Sequence, residues 1–213
     1  MTPAQPSRAA APRIYYVHPR SMDGDGQAAG IAERAADLGF DHLLIAPIFQ
    51  QAGDVFRPRN HDVSSLGDAP TATAIANLAA ACRPHGLRLL MDLDLVRFDA
   101  EHPLVAAQPE AFTLRREAPA DRPIDPRLAS PPQGVALARL REPAACDTVV
   151  GWITSRAEAW IEAGLDGFRL LELDQAPPEI WARLIARLRT TRPDLTVIAD
   201  TPGMDREAAR AVG

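Results

Sequence analysis

The chain has 213 residues, enough for one domain of ordinary size, since single domains usually hold roughly 100 to 200 residues. Hydrophobic residues make up 46% of it and charged residues 24%, a globular balance that excludes a disordered or fibrous chain. The formal net charge of -5 disfavours nucleic acid and polyphosphate partners, and leaves neutral or cationic small ligands open.

The first dozen residues, 1–12, are rich in proline and alanine, and we expect them to form a disordered lead. They lack the apolar core of a signal peptide, and no apolar run in the chain approaches the length of a membrane span. Cys82 and Cys146 match neither a metal-binding nor a disulfide spacing. We therefore expect a cytoplasmic protein with no membrane contact, no metal and no cofactor.

From residue 13 onward, short apolar runs of strand type alternate with helical patterns, as is typical of parallel βα units. The predicted strands are 13–19, 42–49, 87–96, 167–173 and 195–200. The predicted helices are 30–38, 70–85, 147–163 and 177–190, with a helical stub from residue 205. Prolines crowd the segment 99–146, so we expect an insertion without a long helix. The predicted division is units one to three in 13–98, the insertion in 99–146, and units four and five in 147–213.

Two architectures are compatible with five βα units. One is an open, doubly wound sheet, which is complete at this length. The other is a (β/α)₈ barrel of which five units are present, since a whole barrel typically needs about 250 residues. Length alone favours the open sheet. Both architectures place a functional site at the carboxyl ends of the strands.

Polar residues at predicted strand ends are therefore the candidate site residues: His18, Asp92, Asp94, Arg169, Glu172 and Asp200. Period two places Asp92 and Asp94 on one face of the third strand, where burial is costly unless the carboxylates are paired. The alternative to a site role is that one aspartate forms an ion pair and the other caps a loop. Arg169 lies between Phe168 and Leu170, so its guanidinium needs a fixed anionic or multi-acceptor partner.

Three segments carry a resemblance to a known family: HGLRLLMD at 85–92, AGLDGFR at 163–169 and VIADTPG at 197–203. In this order they resemble the alpha-amylase family of glycoside hydrolases and transglycosylases. The amino-acid sequence at 102–103, 108–112 and 175–181 is most similar to that of bacterial maltosyltransferases of that family. The resemblance spans roughly residues 12 to 205. It implies a (β/α)₈ TIM-barrel-like fold with only about five βα units present, which reverses the inference from length.

The resemblance also assigns roles, several of which this sequence alters. Arg169 matches the arginine that precedes the family's nucleophile by two residues, but the nucleophile position holds Leu171, which cannot form a glycosyl ester. The general acid, a glutamate in the family, falls on the shorter Asp200. The third carboxylate position lies beyond residue 213. Glu172 follows Leu171, and strand alternation predicts that its side chain points toward the helices, away from the barrel mouth.

The resemblance implies that Asp92, Arg169, His61, Asp62 and His18 contact substrate. His61 falls where the family places an aromatic residue that stacks on sugar. The implied partner is an alpha-glucan or maltooligosaccharide, and we expect the chain to be catalytically impaired by itself. A barrel stopped after five units also predicts self-association, or a partner chain that completes the barrel.

Two other functional classes stay open at the level of sequence. One is a non-enzymatic glucan-binding or assembly module that keeps the sugar contacts without the chemistry. The other is an open α/β phosphotransferase, because LLMDLDLV at 89–96 fits a motif in which Asp92 attacks phosphorus and Asp94 is the acid or base. Such enzymes also need a lysine, and every basic residue of this chain is arginine, which disfavours that reading.

Overall fold

The computed structural model describes residues 11–22, 27–51, 53–116, 134–202 and 204–211. The strands in these ranges are β1 Ile14–Val17, β2 His42–Ile45, β3 Phe49–Gln51, β4 Pro58–Ser64, β5 Arg88–Leu93, β6 Arg97–Asp99, β7 Phe112–Arg116, β8 Gly134–Ala138, β9 Gly167–Leu170 and β10 Thr196–Ala199. The α-helices are α1 Gln27–Asp37, α2 Thr71–Cys82, α3 Pro103–Ala107, α4 Pro143–Glu162, α5 Pro178–Thr191 and α6 Arg206–Ala211. Short 3₁₀ helices cover Pro19–Met22, Arg83–His85, Pro109–Ala111 and Leu173–Gln175.

Five strands form the main sheet in the order β1-β2-β5-β9-β10, and every neighbouring pair is parallel. The strand order follows the chain order, with α1, α2, α4 and α5 in the crossovers. This confirms the prediction of five parallel strands laid down in sequence.

The helices decide between the two architectures. Helix α1 contacts α2, α2 contacts α4, and α4 contacts α5, so successive helices lie side by side over one face of the sheet. A doubly wound sheet would divide its helices between both faces. The layer is therefore that of a partial (β/α)₈ barrel, in agreement with the family resemblance and against the inference from length.

Residue alternation distinguishes the two faces of the sheet. Leu43, Leu89, Met91 and Phe168 belong to the large core that the helices cover. Leu90 is buried but lies outside that core, because period two turns it to the other face. That second face corresponds to the interior of a barrel. Within the described residues, β1 and β10 each pair with one strand only, so the sheet is open at both edges.

Two smaller sheets lie in the segments that follow β2 and β5 in the chain. The strands β3 and β4 form an antiparallel pair, so β2 is shorter than the predicted strand 42–49, and a hairpin follows it. The strands β6, β8 and β7 form an antiparallel sheet in the proline-rich insertion. The helix α3 is only five residues long, as the prolines predicted. Residues 117–133 of the insertion lie outside the described residues.

Candidate functional site

A cavity of about 400 Å³ lies at the carboxyl ends of β5, β9 and β10. This is the place that the barrel architecture predicts for a ligand. The cavity is lined by Phe56, Arg97, Arg169, Leu171, Glu172, Asp174, Asp200, Pro202 and Met204. Sequence reasoning selected four of these residues, Arg169, Leu171, Glu172 and Asp200, and the structure brings those four together.

Arg169 and Asp92 form a two-pronged ion pair beneath the cavity. They lie directly opposite each other on β9 and β5, and Arg169 donates from Nε and Nη2 to the two Asp92 oxygens at 2.6 and 2.8 Å. Asp92 is fully buried. The expectation that Arg169 needs a fixed anionic partner is confirmed. Burial raises the pKa of Asp92, and the Arg169 hydrogen bonds oppose that rise.

Tyr16 joins this pair and was missed by sequence reasoning. Its hydroxyl donates to Asp92 Oδ2 at 3.2 Å, and the Arg169 guanidinium carbon lies 4.9 Å from its ring centroid. Burial together with the Asp92 charge raises the Tyr16 pKa. The signal was available, since Tyr16 is two residues before His18 and strand alternation places both on one face.

Asp94 stabilises the turn that follows β5. Its Oδ1 accepts from the Val96 amide at 2.7 Å, and its Oδ2 accepts from Arg97 Nε at 3.0 Å. Arg97 in turn reaches Glu172, with 3.0 Å between Nη2 and Oε1. The two aspartates thus adopt the arrangement weighed as the alternative to a site role: Asp92 is in an ion pair and Asp94 caps a loop.

These contacts argue against the phosphotransferase reading. A nucleophilic carboxylate must present a free oxygen to phosphorus. Both Asp92 oxygens are held by Arg169, and both Asp94 oxygens are held by Arg97 or by backbone amides.

The predicted orientation of Glu172 is wrong. Strand β9 ends at Leu170, and Glu172 adopts a left-handed backbone conformation with φ 54° and ψ 38°. Strand alternation therefore no longer applies, and Glu172 lines the cavity beside Leu171 instead of pointing toward the helices. The Leu171 amide donates to the Leu93 carbonyl at 3.0 Å, which fixes the start of this turn.

Asp200 directly follows β10, and its amide donates to the Leu170 carbonyl at 3.0 Å. Its side chain lines the cavity, and its negative charge contributes to the raised pKa of Asp92. The cavity is thus lined by three carboxylates, Glu172, Asp174 and Asp200, together with the apolar side chain of Leu171.

The placement of His61 contradicts the prediction that its ring stacks on a sugar. The side chain is only 1% exposed and lies among Phe49, Trp152 and Trp160, and its Nδ1 is 2.9 Å from His102 Nε2. A ring enclosed on all these sides is not accessible to a ligand. The family resemblance suggested this site residue, whereas the surrounding aromatic side chains come from distant parts of the sequence.

Two further candidate residues lie outside the cavity lining. Asp62 is exposed and pairs with Arg156 at 2.8 Å on the surface. His18 is half-buried, and its Nδ1 accepts from the Arg20 amide at 3.2 Å in the turn after β1. Neither contact resembles a substrate site. Within the described ranges, no group of three or more His, Cys, Asp and Glu side chains is placed to hold a metal ion.

Known proteins resemble this chain in sequence and in fold. The chain is 34% identical over 206 residues to an alpha-1,4-glucan:maltose-1-phosphate maltosyltransferase of Burkholderia pseudomallei. That match covers 93% of this chain and only 18% of the relative. No family model matches the chain.

Solved structures share the fold. The alpha-amylase of Geobacillus thermoleovorans, complexed with acarbose, superposes with a TM-score of 0.70 at 13% identity, covering 94% of this chain and 49% of that one. The maltogenic alpha-amylase AmyB of Thermotoga neapolitana superposes with a TM-score of 0.71 at 19% identity, covering 93% and 47%. The chain thus spans about half the length of these structures. None of its described helices combines the length and apolarity that crossing a membrane requires.

Proposed function

Because this chain is homologous to the alpha-amylase family of glucan-active enzymes, we propose that it contacts an alpha-glucan or maltooligosaccharide at the strand-end cavity and does not transfer glycosyl groups by itself. The observation that carries the proposal is the side chain of Leu171. It lines the cavity together with Arg169 and Glu172, at the position where the resemblance places a nucleophile.

The chemistry of retaining glycosyl transfer motivates the second half of the proposal. That route needs one carboxylate that attacks the sugar and a second that protonates the leaving oxygen. Leucine has no nucleophilic atom, and both oxygens of Asp92 are bound by Arg169. The Glu172 carboxylate is paired with Arg97, so it is less available to attack the sugar. Asp200 at the acid position is one methylene shorter than the family's glutamate.

The sugar-binding half of the proposal draws on side chains that remain suited to hydroxyl groups. The guanidinium of Arg169 keeps one terminal nitrogen, Nη1, beyond the two that hold Asp92. Tyr16 is 45% exposed beside it and offers an aromatic surface. Because such groups are few, we expect weak binding, with a dissociation constant in the millimolar range, which corresponds to a binding free energy of about 4 kcal/mol.

The same proposal includes a compartment and an association state. We place the chain in the cytoplasm, because Cys82 and Cys146 are buried as free thiols. We propose that β1 and β10 are covered by another copy or by a partner chain that completes the barrel, because an uncovered parallel edge invites pairing.

Calorimetry and a product assay test the proposal. Maltose, maltotriose and a phosphorylated maltose are titrated into wild type, Arg169→Ala and Arg169→Lys, the last variant keeping a cation opposite Asp92. Wild type should bind weakly, and both variants should bind at least fivefold more weakly, since each loses the guanidinium fork. The wild type should form no transfer product, and the Leu171→Asp variant should form none either.

Two outcomes would contradict the proposal. Robust turnover by the wild type would show an active enzyme and would direct attention to Glu172 and Asp200, two of the three carboxylates that line the cavity. Binding that is equal in wild type and in both Arg169 variants would remove the proposed sugar site.

A further inference from the structure

A second groove, of about 370 Å³, lies on the insertion sheet where β7 and β8 meet the segment before α4. Its charged lining residues are Arg115, Arg139, Arg141 and Glu142. Three guanidiniums face one carboxylate, so the groove carries a local charge of +2 in a chain whose net charge is -5. We call it the arginine groove.

Strand register brings these arginines together. Thr113 lies opposite Leu137 on the paired strands β7 and β8, and Arg115 is two residues beyond Thr113 on the same face. Arg139 follows β8 by one residue, again two positions beyond Leu137. Thr113, Arg115, Leu137 and Arg139 all line the groove, so one face of the sheet forms its floor.

The three guanidiniums differ in how far their donors are used. Arg139 is occupied, since it donates to the Glu110 carbonyl at 3.0 Å and pairs with Glu142 at 2.7 Å. Arg141 makes one hydrogen bond, to the Asp174 carbonyl at 2.9 Å, and has no carboxylate partner in the described part of the chain. Over the same ranges the Arg115 guanidinium forms neither a hydrogen bond nor an ion pair, although the Arg115 backbone belongs to the paired strands β7 and β8. Arg115 and Arg141 therefore keep unused N–H donors and a full positive charge each.

We propose that the arginine groove binds the phosphoryl group of a small phosphorylated ligand through Arg115 and Arg141. The planar guanidinium fork matches phosphate oxygens two at a time, and a phosphate dianion balances the local charge of +2. The groove is larger than a phosphoryl group alone needs. The hydroxyl of Thr113 and the amide of Gln175 offer hydrogen bonds to an attached organic group such as a sugar.

The proposal does not rest on glucan binding at the strand-end cavity. The two sites are adjacent, because the carbonyl that Arg141 holds belongs to Asp174, whose side chain lines the other cavity. They remain chemically distinct: three carboxylates and two arginines line the strand-end cavity, whereas three arginines and one carboxylate line the arginine groove.

The test is calorimetry at low ionic strength with inorganic phosphate, glucose 1-phosphate and glucose as probes. The proteins are wild type, Arg115→Ala, Arg141→Ala, the double variant, and Arg189→Ala as a control. Arg189 is an exposed arginine of α5, so its removal changes the net charge equally without touching the groove. Arg115 and Arg141 are exposed, so their replacement removes no buried contact, and thermal denaturation checks that each variant is folded.

Wild type and Arg189→Ala should bind phosphate and glucose 1-phosphate with millimolar affinity, and glucose should not bind the groove. Each single alanine variant should weaken binding about tenfold, with maltose binding unchanged, so that failure here is distinct from failure of the glucan proposal. Tighter binding of glucose 1-phosphate than of phosphate supports an organic phosphate as the ligand, and equal binding supports the free ion. No phosphate binding by the wild type, or equal binding by the double variant and the control, would overturn the proposal.

Discussion

The contact between Arg169 and Asp92 makes a prediction about stability at the scale of single residues. Asp92 is fully buried, and Arg169 supplies both of its charged hydrogen bonds. Removing one member of a buried pair leaves an uncompensated charge, which typically costs about 3 to 5 kcal/mol. We therefore expect Arg169→Ala to lower the free energy of unfolding by about 3 kcal/mol, measured by urea denaturation at pH 7.

The matched control replaces both partners. Apolar residues of similar volume can substitute for a buried ion pair at little cost, so Asp92→Leu combined with Arg169→Leu should recover most of the loss. If Arg169→Ala costs less than about 1 kcal/mol, the Asp92 carboxyl does not depend on this arginine, and our account of the pair is wrong.

The buried histidines predict how stability depends on pH. Burial lowers the pKa of His61 well below its usual value, and burial together with the Arg156 charge lowers the pKa of His102 to about 4. Histidines in the unfolded chain titrate near 6.5, so from that pH downward the unfolded state binds more protons than the folded state. Stability should therefore fall as the pH is lowered from about 7 toward 4. His102 alone should account for a loss of about 2 kcal/mol by pH 5.

Urea denaturation between pH 4.5 and 7.5 measures this slope. In the wild type, His102 Nδ1 accepts a hydrogen bond from the Leu104 amide, and the asparagine of His102→Asn keeps an acceptor for it. The variant should show a shallower dependence of stability on pH, because it lacks a histidine that is protonated more readily in the unfolded state than in the folded state. His85→Asn, in the 3₁₀ turn after α2, is the control and should leave the slope unchanged. Equal slopes in wild type and His102→Asn would contradict the assignment.

At the scale of secondary structure elements, Gly167 permits the close approach of β9 and β10. A Cβ atom built at Gly167 would overlap the carbonyl oxygen of Thr196 and would lie 2.9 Å from Leu90 Cδ2. The oxygen belongs to the backbone, so relief requires moving the strand. We expect Gly167→Ala to destabilise the chain by about 1 to 3 kcal/mol in thermal denaturation, with loosening concentrated at β10 in hydrogen exchange.

Gly151→Ala is a suitable control, since nothing lies within 4 Å of a Cβ atom at Gly151 in α4. It should stabilise that helix slightly, because alanine has the higher helix propensity. A neutral Gly167→Ala would mean that β9 and β10 separate more easily than their register suggests.

Elements also show what sequence patterns can and cannot predict. Runs such as the one that forms β5 predict strands well, because alternation and apolar content are local properties. The orientation of Glu172 was not predictable, since it depends on the residue where β9 ends and on one left-handed backbone conformation. The burial of His61 was not predictable either, because the aromatic residues around it are brought together by tertiary packing. Patterns therefore identified the right end of the sheet but not every side chain there.

At the scale of the whole molecule, the open edges of β1 and β10 predict self-association. Light scattering at increasing protein concentration should show a rising average mass. Ala199 is exposed on β10, and lysine there should reduce association, since charged side chains on an edge strand disfavour pairing. Ala80→Lys, at an exposed position of α2, makes the same substitution away from the edges and should not reduce it.

A mass that stays monomeric at high concentration would contradict the prediction for the wild type. Equal association of the two lysine variants would show that contacts form elsewhere than at β10.

The order of the strands has a further consequence, for biosynthesis. Each inner strand of the main sheet, β2, β5 or β9, lies between the sheet strand that precedes it in the chain and the one that follows it, and β1 and β10 form the edges. Each strand after β1 can therefore pair with a strand that has already been synthesised. No later strand has to be inserted between two strands that were made before it. Since folding during synthesis proceeds from the amino terminus, the half-barrel can grow one βα unit at a time, and its growing edge is always the strand most recently made.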